Sequence, residues 1–377
     1  MLKEFLDNKP LYYIEIDYSR MPRVYEKVKK SFNLPKTIHL IGTNGKGTTG
    51  RFLASAFHSL GFSVGHYTSP HILNFNERIW LNGDSVDDST LDKNHIKLQK
   101  LLSKEDSDSL SYFEYTTLLA MLIYKDCDYV VLEAGLGGEY DATAVFEKEL
   151  TLVTPIDFDH EAFLGETIEE IATTKLNAIQ KSAILANQKF EEVYTIALKK
   201  GLHIYKIDDL ITKLDLENIA IVTKTLKLPN YLQENLKLSI GALNILGIKY
   251  ETDDFKNARL FGRLSRLTDN IYVDVGHNTL ASKAILESLL GEKYILVYNT
   301  YKDKNYKEIL AILKPIIKSV EIIDVDEDRI ESKEKLEKTL DELAIKHSCF
   351  NLINKDEKYL VFGSFSVVER FLKGYNE

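Results

Sequence analysis

The run Ile41-Gly42-Thr43-Asn44-Gly45-Lys46-Gly47-Thr48-Thr49 constrains the fold more than any other part of the chain. Its glycines permit a turn in which successive backbone N–H groups face one point, a concave site for an anion. Upstream, Lys36-Thr37-Ile38-His39-Leu40-Ile41 suits a buried strand; downstream, Leu53, Phe57 and Leu60 recur at helical spacing. A helix that starts at such a turn adds its free N–H groups and its dipole, and Lys46 adds a point charge, so a strand–loop–helix cradle for phosphate groups follows. The spacing departs from the general P-loop: two residues separate Gly42 from Gly45, and Gly47 follows the lysine where a hydroxyl residue is usual.

A chain of 377 residues, 44% of them hydrophobic, exceeds what one core organises and is expected to form two domains. The formal net charge of −9 argues against a protein that holds nucleic acid by neutralising its phosphates, and gives no sign of an acidic membrane surface as partner. Cys127 and Cys349 stand far apart with no Cys-x-x-Cys pair, so neither a disulfide framework nor a structural zinc site is expected. The charged start Met1-Leu2-Lys3-Glu4-Phe5-Leu6-Asp7 lacks the apolar centre of a secretory signal, and no run approaches the ~18 apolar residues of a membrane span. A cytoplasmic monomer acting on small molecules is the expectation.

Met21 to Phe32 reads as a helix with Val24 and Val28 on one face, ending before Pro35. Gly61 to Tyr67 suits a second strand that leads into Thr68-Ser69-Pro70-His71, a loop at the strand end where open α/β sheets bind ligands. Asp87 to Leu102 carries a mixed polar helix pattern, whereas Tyr112 to Tyr124 is apolar on nearly every face and reads as a buried helix. Tyr129-Val130-Val131-Leu132 is the continuous apolar run of a parallel strand covered on both faces. It ends in Glu133, followed by Ala134-Gly135-Leu136-Gly137-Gly138, and a carboxylate there is a natural Mg²⁺ ligand beside nucleotide phosphates. Leu152 to Ile156 forms the next strand, with Asp157-Phe158-Asp159-His160 hanging from its end as a further metal candidate. Strands at Tyr294–Tyr298, Val320–Ile323 and Tyr359–Phe362 alternate with helices in a smaller α/β domain.

Gly-Thr-Asn-Gly-Lys-Gly-Thr closely resembles the loop of the Mur-ligase superfamily, and within it the branch of bifunctional dihydrofolate synthase/folylpolyglutamate synthase. Further elements follow in the same order: Thr68-Ser69-Pro70-His71 with Asn76-Glu77-Arg78-Ile79, Phe113-Glu114, Glu133 with its glycines, Asp141-Ala142-Thr143, Asp159-His160 with Leu164-Gly165-Glu166-Thr167, Gly262-Arg263, Asp274-Val275-Gly276-His277-Asn278, Asp303-Lys304 and Gly363-Ser364. The chain departs from that pattern at Glu139, where arginine is usual, at Ala144, where asparagine is usual, and after Lys175, where Lys-Ala-Gly-Ile is replaced by Lys175-Leu176-Asn177-Ala178-Ile179.

The resemblance implies an α/β protein: an N-terminal P-loop ATP-binding domain with a mostly parallel sheet over residues 1–252, and a smaller Rossmann-like domain over 253–377. It implies ATP as co-substrate, held by Gly42, Thr43, Asn44, Gly45, Lys46, Gly47 and Thr48 with Asn235, Arg263, Asp274 and His277. Ser69 and Glu133 would hold one Mg²⁺ ion and His160 a second. Phe113, Asp141 and Ala142 would border a pterin ring, and Ser364 would lie near the incoming glutamate. Lys46, Lys175 and His277 would be the catalytic residues, Lys175 at the spacing of a lysine that becomes carbamylated. The implied reaction joins L-glutamate to dihydropteroate, and to reduced folates, through an acyl phosphate at the expense of ATP. A Mur-type ligase and a glutamate ligase on another cofactor share that chemistry; a non-catalytic nucleotide switch is disfavoured because no Asn-Lys-x-Asp guanine motif occurs.

Overall fold

A computed structural model describes residues 1–9 and 17–375. The chain forms two compact units, one of Met1–Lys227 with Gln233–Arg259, the other of Leu228–Leu232 with Leu260–Glu377. Where the sequence suggests a cut at 252/253, the structure has the 3-10 turn Thr252–Phe255, whose Phe255 is fully buried and which packs on the helix Lys46–Ser59 of the first unit.

The first unit is built on strands β1 (Lys36–Ile41), β2 (Val64–Tyr67), β3 (Ile79–Leu81), β4 (Asp84–Ser85), β5 (Tyr129–Glu133), β6 (Leu150–Val153), β7 (Ser182–Leu185) and β8 (His203–Lys206), in the order β4-β3-β2-β5-β1-β6-β7-β8. From β2 to β8 neighbouring strands run parallel; β3 and β4 turn back as an antiparallel edge. Every residue of β5, and every residue of β1 after Lys36, is buried, as a sheet covered on both faces requires. Asn82 and Gly83, with φ of 48° and 111°, form the two-residue hairpin turn between β3 and β4. That turn, not read from the sequence, carries one of the strongest hairpin signals a sequence offers.

The topology fixes where a ligand goes. From β1 the chain crosses to β2, two places away, then returns to insert β5 between them and passes to β6 on the opposite side of β1. Strand order reverses at β1, and the loops leaving the carboxyl ends of β1, β2, β5 and β6 open onto one crevice.

Two helices back these loops. Lys46–Ser59 is buried from Gly47 to Phe57, and Tyr112–Ile123 from Glu114 to Leu122, the latter started by Ser111 and Glu114 in a reciprocal capping box. Met21, Val24, Tyr25 and Val28 of the helix Arg20–Val28 are buried in the same core as the second of these. At its start Arg20 Nε donates to Glu114 Oε2 at 2.7 Å, with both side chains about one-tenth exposed. Glu114→Ala leaves the guanidinium buried without this carboxylate and removes half of the capping box; a loss of roughly 3–5 kcal/mol is expected. A urea unfolding midpoint within error of the parent would contradict it.

The second unit has β9 (Ser265–Thr268), β10 (Ile271–Val273), β11 (Tyr294–Tyr298), β12 (Ile317–Ile322), β13 (His347–Cys349) and β14 (Tyr359–Phe362) in the order β13-β12-β11-β14-β10-β9, parallel except for β9. Leu296, Tyr298, Leu310, Leu313, Val320 and Phe362 fill its core. It is the mostly parallel α/β sheet expected of this half, with an antiparallel edge at β9 that the sequence did not disclose.

Candidate active site

The loop after β1 is held in its shape by contacts only glycine allows. Gly42 has φ of 132°, and a Cβ there would lie 2.1 Å from Thr154 Oγ1 beside β6; Gly45 has φ of 89°, and a Cβ there would lie 2.2 Å from Asn235 Nδ2. Asn235 donates to the Gly45 carbonyl at 3.3 Å and to Thr49 Oγ1 at 3.1 Å, so its amide braces the start of the helix. Thr43 Oγ1 is spent on the same task, donating to the Asp157 carbonyl at 3.0 Å and accepting from Asp157 N at 3.0 Å. Lys46 Nζ lies over the loop, donating to the carbonyls of Gly42 at 3.2 Å and Thr43 at 3.1 Å.

Lys175, from the helix Ile168–Leu176, reaches the same point: its Nζ donates to the Gly42 carbonyl at 3.0 Å, and the side chain is only 4% exposed. Burial, with the Lys46 charge nearby, pushes its amine down to about 7, and Asp159 and Asp141 only partly oppose this. Lys46, Lys175, Asp159 and His160 line a small cleft together with Gly42 and the glycine loop Gly135–Gly137. His160 stands at the start of the short helix Glu161–Leu164 with φ of 54°, its Nε2 3.9 Å from Asp159 Oδ2. Asp159, which the sequence offered only as part of the Asp157–His160 run, thus sits inside the cleft.

On the other side of β1, the two remaining metal candidates meet. Ser69 N donates to Glu133 Oε2 at 3.2 Å, and the Thr68 hydroxyl donates to the same oxygen. Thr68 was missed, although its place beside Ser69 was a hint. Thr48 Oγ1, on the first turn of the loop helix, is buried without a hydrogen-bond partner among the described residues. Hydroxyl and carboxylate oxygens are the donors Mg²⁺ selects, and an orphaned hydroxyl at the phosphate loop suits it further. Among the described residues no three His, Cys, Asp or Glu side chains cluster as a closed metal cage.

The residues expected around a pterin divide. Phe113 is partly buried, its ring 5.7 Å from that of Tyr67 and so close to Gly135 that a Cβ there would lie 2.7 Å away. Asp141 turns inward: one oxygen accepts from Leu136 N at 2.9 Å, the other from Thr143 N at 2.9 Å and the Thr143 hydroxyl at 2.5 Å. Thr143 in turn bonds His39 Nε2 at 2.8 Å. Because that hydroxyl donates to Asp141, it must accept from the histidine, which fixes the proton on Nε2. Asp141 therefore shapes the glycine loop from within; burial raises its carboxyl, and these hydrogen bonds oppose the rise. Ala142 is buried at the start of the 3-10 turn Ala142–Val145. The Ala144 carbonyl accepts from the buried Lys148 Nζ, whose amine burial lowers to about 8.

In the second unit, Asp274 follows β10 and accepts from Leu264 N at 2.6 Å, Gly276 N at 2.7 Å and the Tyr231 hydroxyl at 3.1 Å. Its carboxylate ties the segment around Arg263 to the sheet; burial raises it and the Arg263 charge partly opposes this. The Arg263 guanidinium lies over the Phe365 ring at 5.5 Å. His277 Nδ1 is 3.1 Å from the Val275 carbonyl, with its ring beside Tyr301. Ser364 is fully buried, and its Oγ accepts from Val367 N at 3.1 Å, capping the helix Phe365–Tyr375. Asp274 and Ser364 thus use their side chains on the backbone of their own unit.

No protein-family model matches the chain. Among solved structures, Helicobacter pylori folylpolyglutamate synthetase is similar at 39% identity and a TM-score of 0.80, covering 100% of this chain and 98% of that one. A bifunctional folylpolyglutamate synthase/dihydrofolate synthase from Yersinia pestis, complexed with AMPPNP and Mn ion, shares the fold at a TM-score of 0.84 and 22% identity over 100% of this chain and 97% of its own. The curated dihydrofolate synthase/folylpolyglutamate synthase of Buchnera aphidicola subsp. Acyrthosiphon pisum is 30% identical over 366 residues, 88% of this chain and 87% of its own. With the phosphate-loop geometry and the order of motifs, these likenesses place the chain in the dihydrofolate synthase/folylpolyglutamate synthase family.

Proposed function

We propose that the protein is an ATP-dependent ligase that joins L-glutamate to the carboxylate of dihydropteroate and to the γ-carboxylate of reduced folates. The observation that carries this reading, beside the family, is the convergence of Lys46 and the buried Lys175 on the Gly42 carbonyl inside one cleft. A carboxylate is a poor electrophile. Transfer of the γ-phosphoryl group of ATP to a carboxylate oxygen breaks the bond to the β-phosphate bridge and yields ADP and an acyl phosphate. The glutamate amine then attacks the carbonyl carbon, phosphate leaves, and the amine proton passes to solvent.

The loop N–H groups and Lys46 orient the β- and γ-phosphates and offset charge as it shifts during transfer. Divalent cations held by Glu133, Ser69 and Thr48, and by His160, would supply further neutralisation of phosphate charge. Lys175, kept in part uncharged at neutral pH, adds CO₂ at its amine and releases a proton, which places an anionic carbamate beside Lys46, Asp159 and His160. Phe113 offers an aromatic face for the pterin, while Asp141 and Ala142 hold the loop around it. On this reading Arg263 and His277 of the second unit are given to the nucleotide. The reading takes the protein as a cytoplasmic monomer, in keeping with two unpaired cysteines; no described helix is long and apolar enough to cross a membrane.

The test is phosphate release from ATP over a substrate panel. Release is expected with dihydropteroate plus glutamate and with tetrahydrofolate plus glutamate, and not with ATP alone. Release that requires UDP-muramyl substrates would transfer the protein to the peptidoglycan branch, and release with ATP alone would remove the ligase reading.

A further inference from the structure

We infer that Glu139 and Asn177 form a latch that holds the glycine loop after β5 against the peptide of Lys175, making both of them positioning residues for that lysine. The inference rests on the reading of Lys175 given above. Both positions belong to the departures from the family pattern noted in the sequence, and they prove to be partners: Asn177 Nδ2 donates to Glu139 Oε2 at 2.6 Å.

The orientation of the amide is unambiguous. Lys200 Nζ donates to Asn177 Oδ1 at 3.0 Å from the far side, so the amide oxygen faces a pure donor and the amide nitrogen a pure acceptor. Asn177 is also the residue that ends the helix Ile168–Leu176, one turn on from Thr174. Around this pair the backbone closes up: Glu139 N donates to the Thr174 carbonyl at 2.9 Å, and a Cβ at Gly138 would lie 2.4 Å from the Lys175 carbonyl oxygen and 2.9 Å from Lys175 Cα. The loop therefore lies on the main chain of Lys175 itself, with Leu136 and Gly137 of the same loop lining the cleft into which that lysine points. Opposite the latch, Asp141 grips Leu136 N. A loop held at both ends keeps the amine buried, and that burial favours the uncharged form that reacts with CO₂.

The pair lies at the protein surface, so its loss should loosen the loop without unfolding the chain. Full-length Glu139→Ala, Asn177→Ala, the double variant, Glu139→Gln and Lys175→Ala would be compared with the parent. The readouts are kcat and KM for ATP in the dihydropteroate reaction, the bicarbonate concentration giving half-maximal activity, and the carbamate signal in ¹³C NMR with labelled bicarbonate. Expected are a roughly three- to tenfold fall in kcat in each single alanine variant with KM for ATP unchanged, a matching rise in the bicarbonate requirement, and a weaker carbamate signal. The double variant should be no worse than either single one, and Glu139→Gln, which keeps an acceptor for Asn177, should return to the parent level. Parent-like kcat and carbamate in the single variants, additive losses in the double, or a shift confined to the unfolding midpoint would each overturn the latch. Should Lys175→Ala itself remain active, the role given to Lys175 falls and the latch with it; an inactive Lys175→Ala beside parent-like latch variants would sink the latch alone.

Discussion

Lys46→Ala is expected to lower turnover by about 10³-fold or more while the protein stays folded. The side chain contributes two hydrogen bonds to carbonyls of its own loop, at Gly42 and Thr43, in a partly buried position. Losing them costs on the order of 1–3 kcal/mol, small beside the stability of a unit whose loop is independently braced by Asn235 and Thr43. The chemical loss is of another size, because no other ammonium in the cleft points to the phosphate loop from the helix start, and the Lys175 amine is kept in part uncharged. Lys46→Arg should not restore the rate, since a planar guanidinium fork does not replace a compact ammonium point charge. The measurement is single-turnover formation of ADP with dihydropteroate and glutamate, alongside circular dichroism. Near-parental turnover in a folded Lys46→Ala protein would take the loop out of the mechanism.

Much of the first unit is legible in the sequence because burial on both faces writes continuous apolar strands. Tyr129–Leu132 and Ile38–Ile41 could hardly be anything else, and the glycines that follow β1 and β5 mark strand ends. Short, half-exposed elements left weaker marks: β8 is intermediate or exposed at every position, and β9 at the outer edge is similar. The meeting of Ser69 with Glu133 was expected from the family resemblance alone, because it depends on β5 inserting beside β2, a matter of strand order rather than of local pattern.

The direction in which a polar side chain points was the least legible feature. An aspartate after a glycine loop has the same sequence signature whether it meets a ligand or the backbone, and Asp141 meets Leu136 N and Thr143. Asp274 and Ser364 follow the same rule in the second unit. The same limit hid the bond from His39, a buried residue of an apolar strand, to Thr143.

Lys175→Met is expected to produce a protein that is more stable near pH 7 and almost inactive. In the folded chain the amine sits at about 7, well below its usual 10.5, chiefly because burial penalises the charged form. Between these values the unfolded chain holds a proton at this position that the folded chain lacks. Stability from this group therefore falls as pH drops from about 10.5 toward 7, and changes little below 7. At neutral pH the penalty is on the order of a few kcal/mol, and an apolar side chain of similar length escapes it. Turnover should move the opposite way. Carbamate forms only on the uncharged amine, so at pH 8 roughly nine in ten copies of a lysine titrating at about 7 are ready to react, and the fraction falls steeply below it. The rate for the parent at fixed CO₂ should fall on the acid side with an inflection near 7, while Lys175→Met should lose about 10²-fold or more at pH 8, a gap that narrows as the parent rate falls below 7. Acetate or formate, by placing a carboxylate in the emptied cleft of Lys175→Ala, should recover part of that loss. Urea unfolding at pH 7 and at pH 9.5 with turnover at both separates the two effects. A Lys175→Met protein that is less stable than the parent at pH 7, or that turns over at the parental rate, would show that the buried amine neither carries the penalty nor does the chemistry assigned to it.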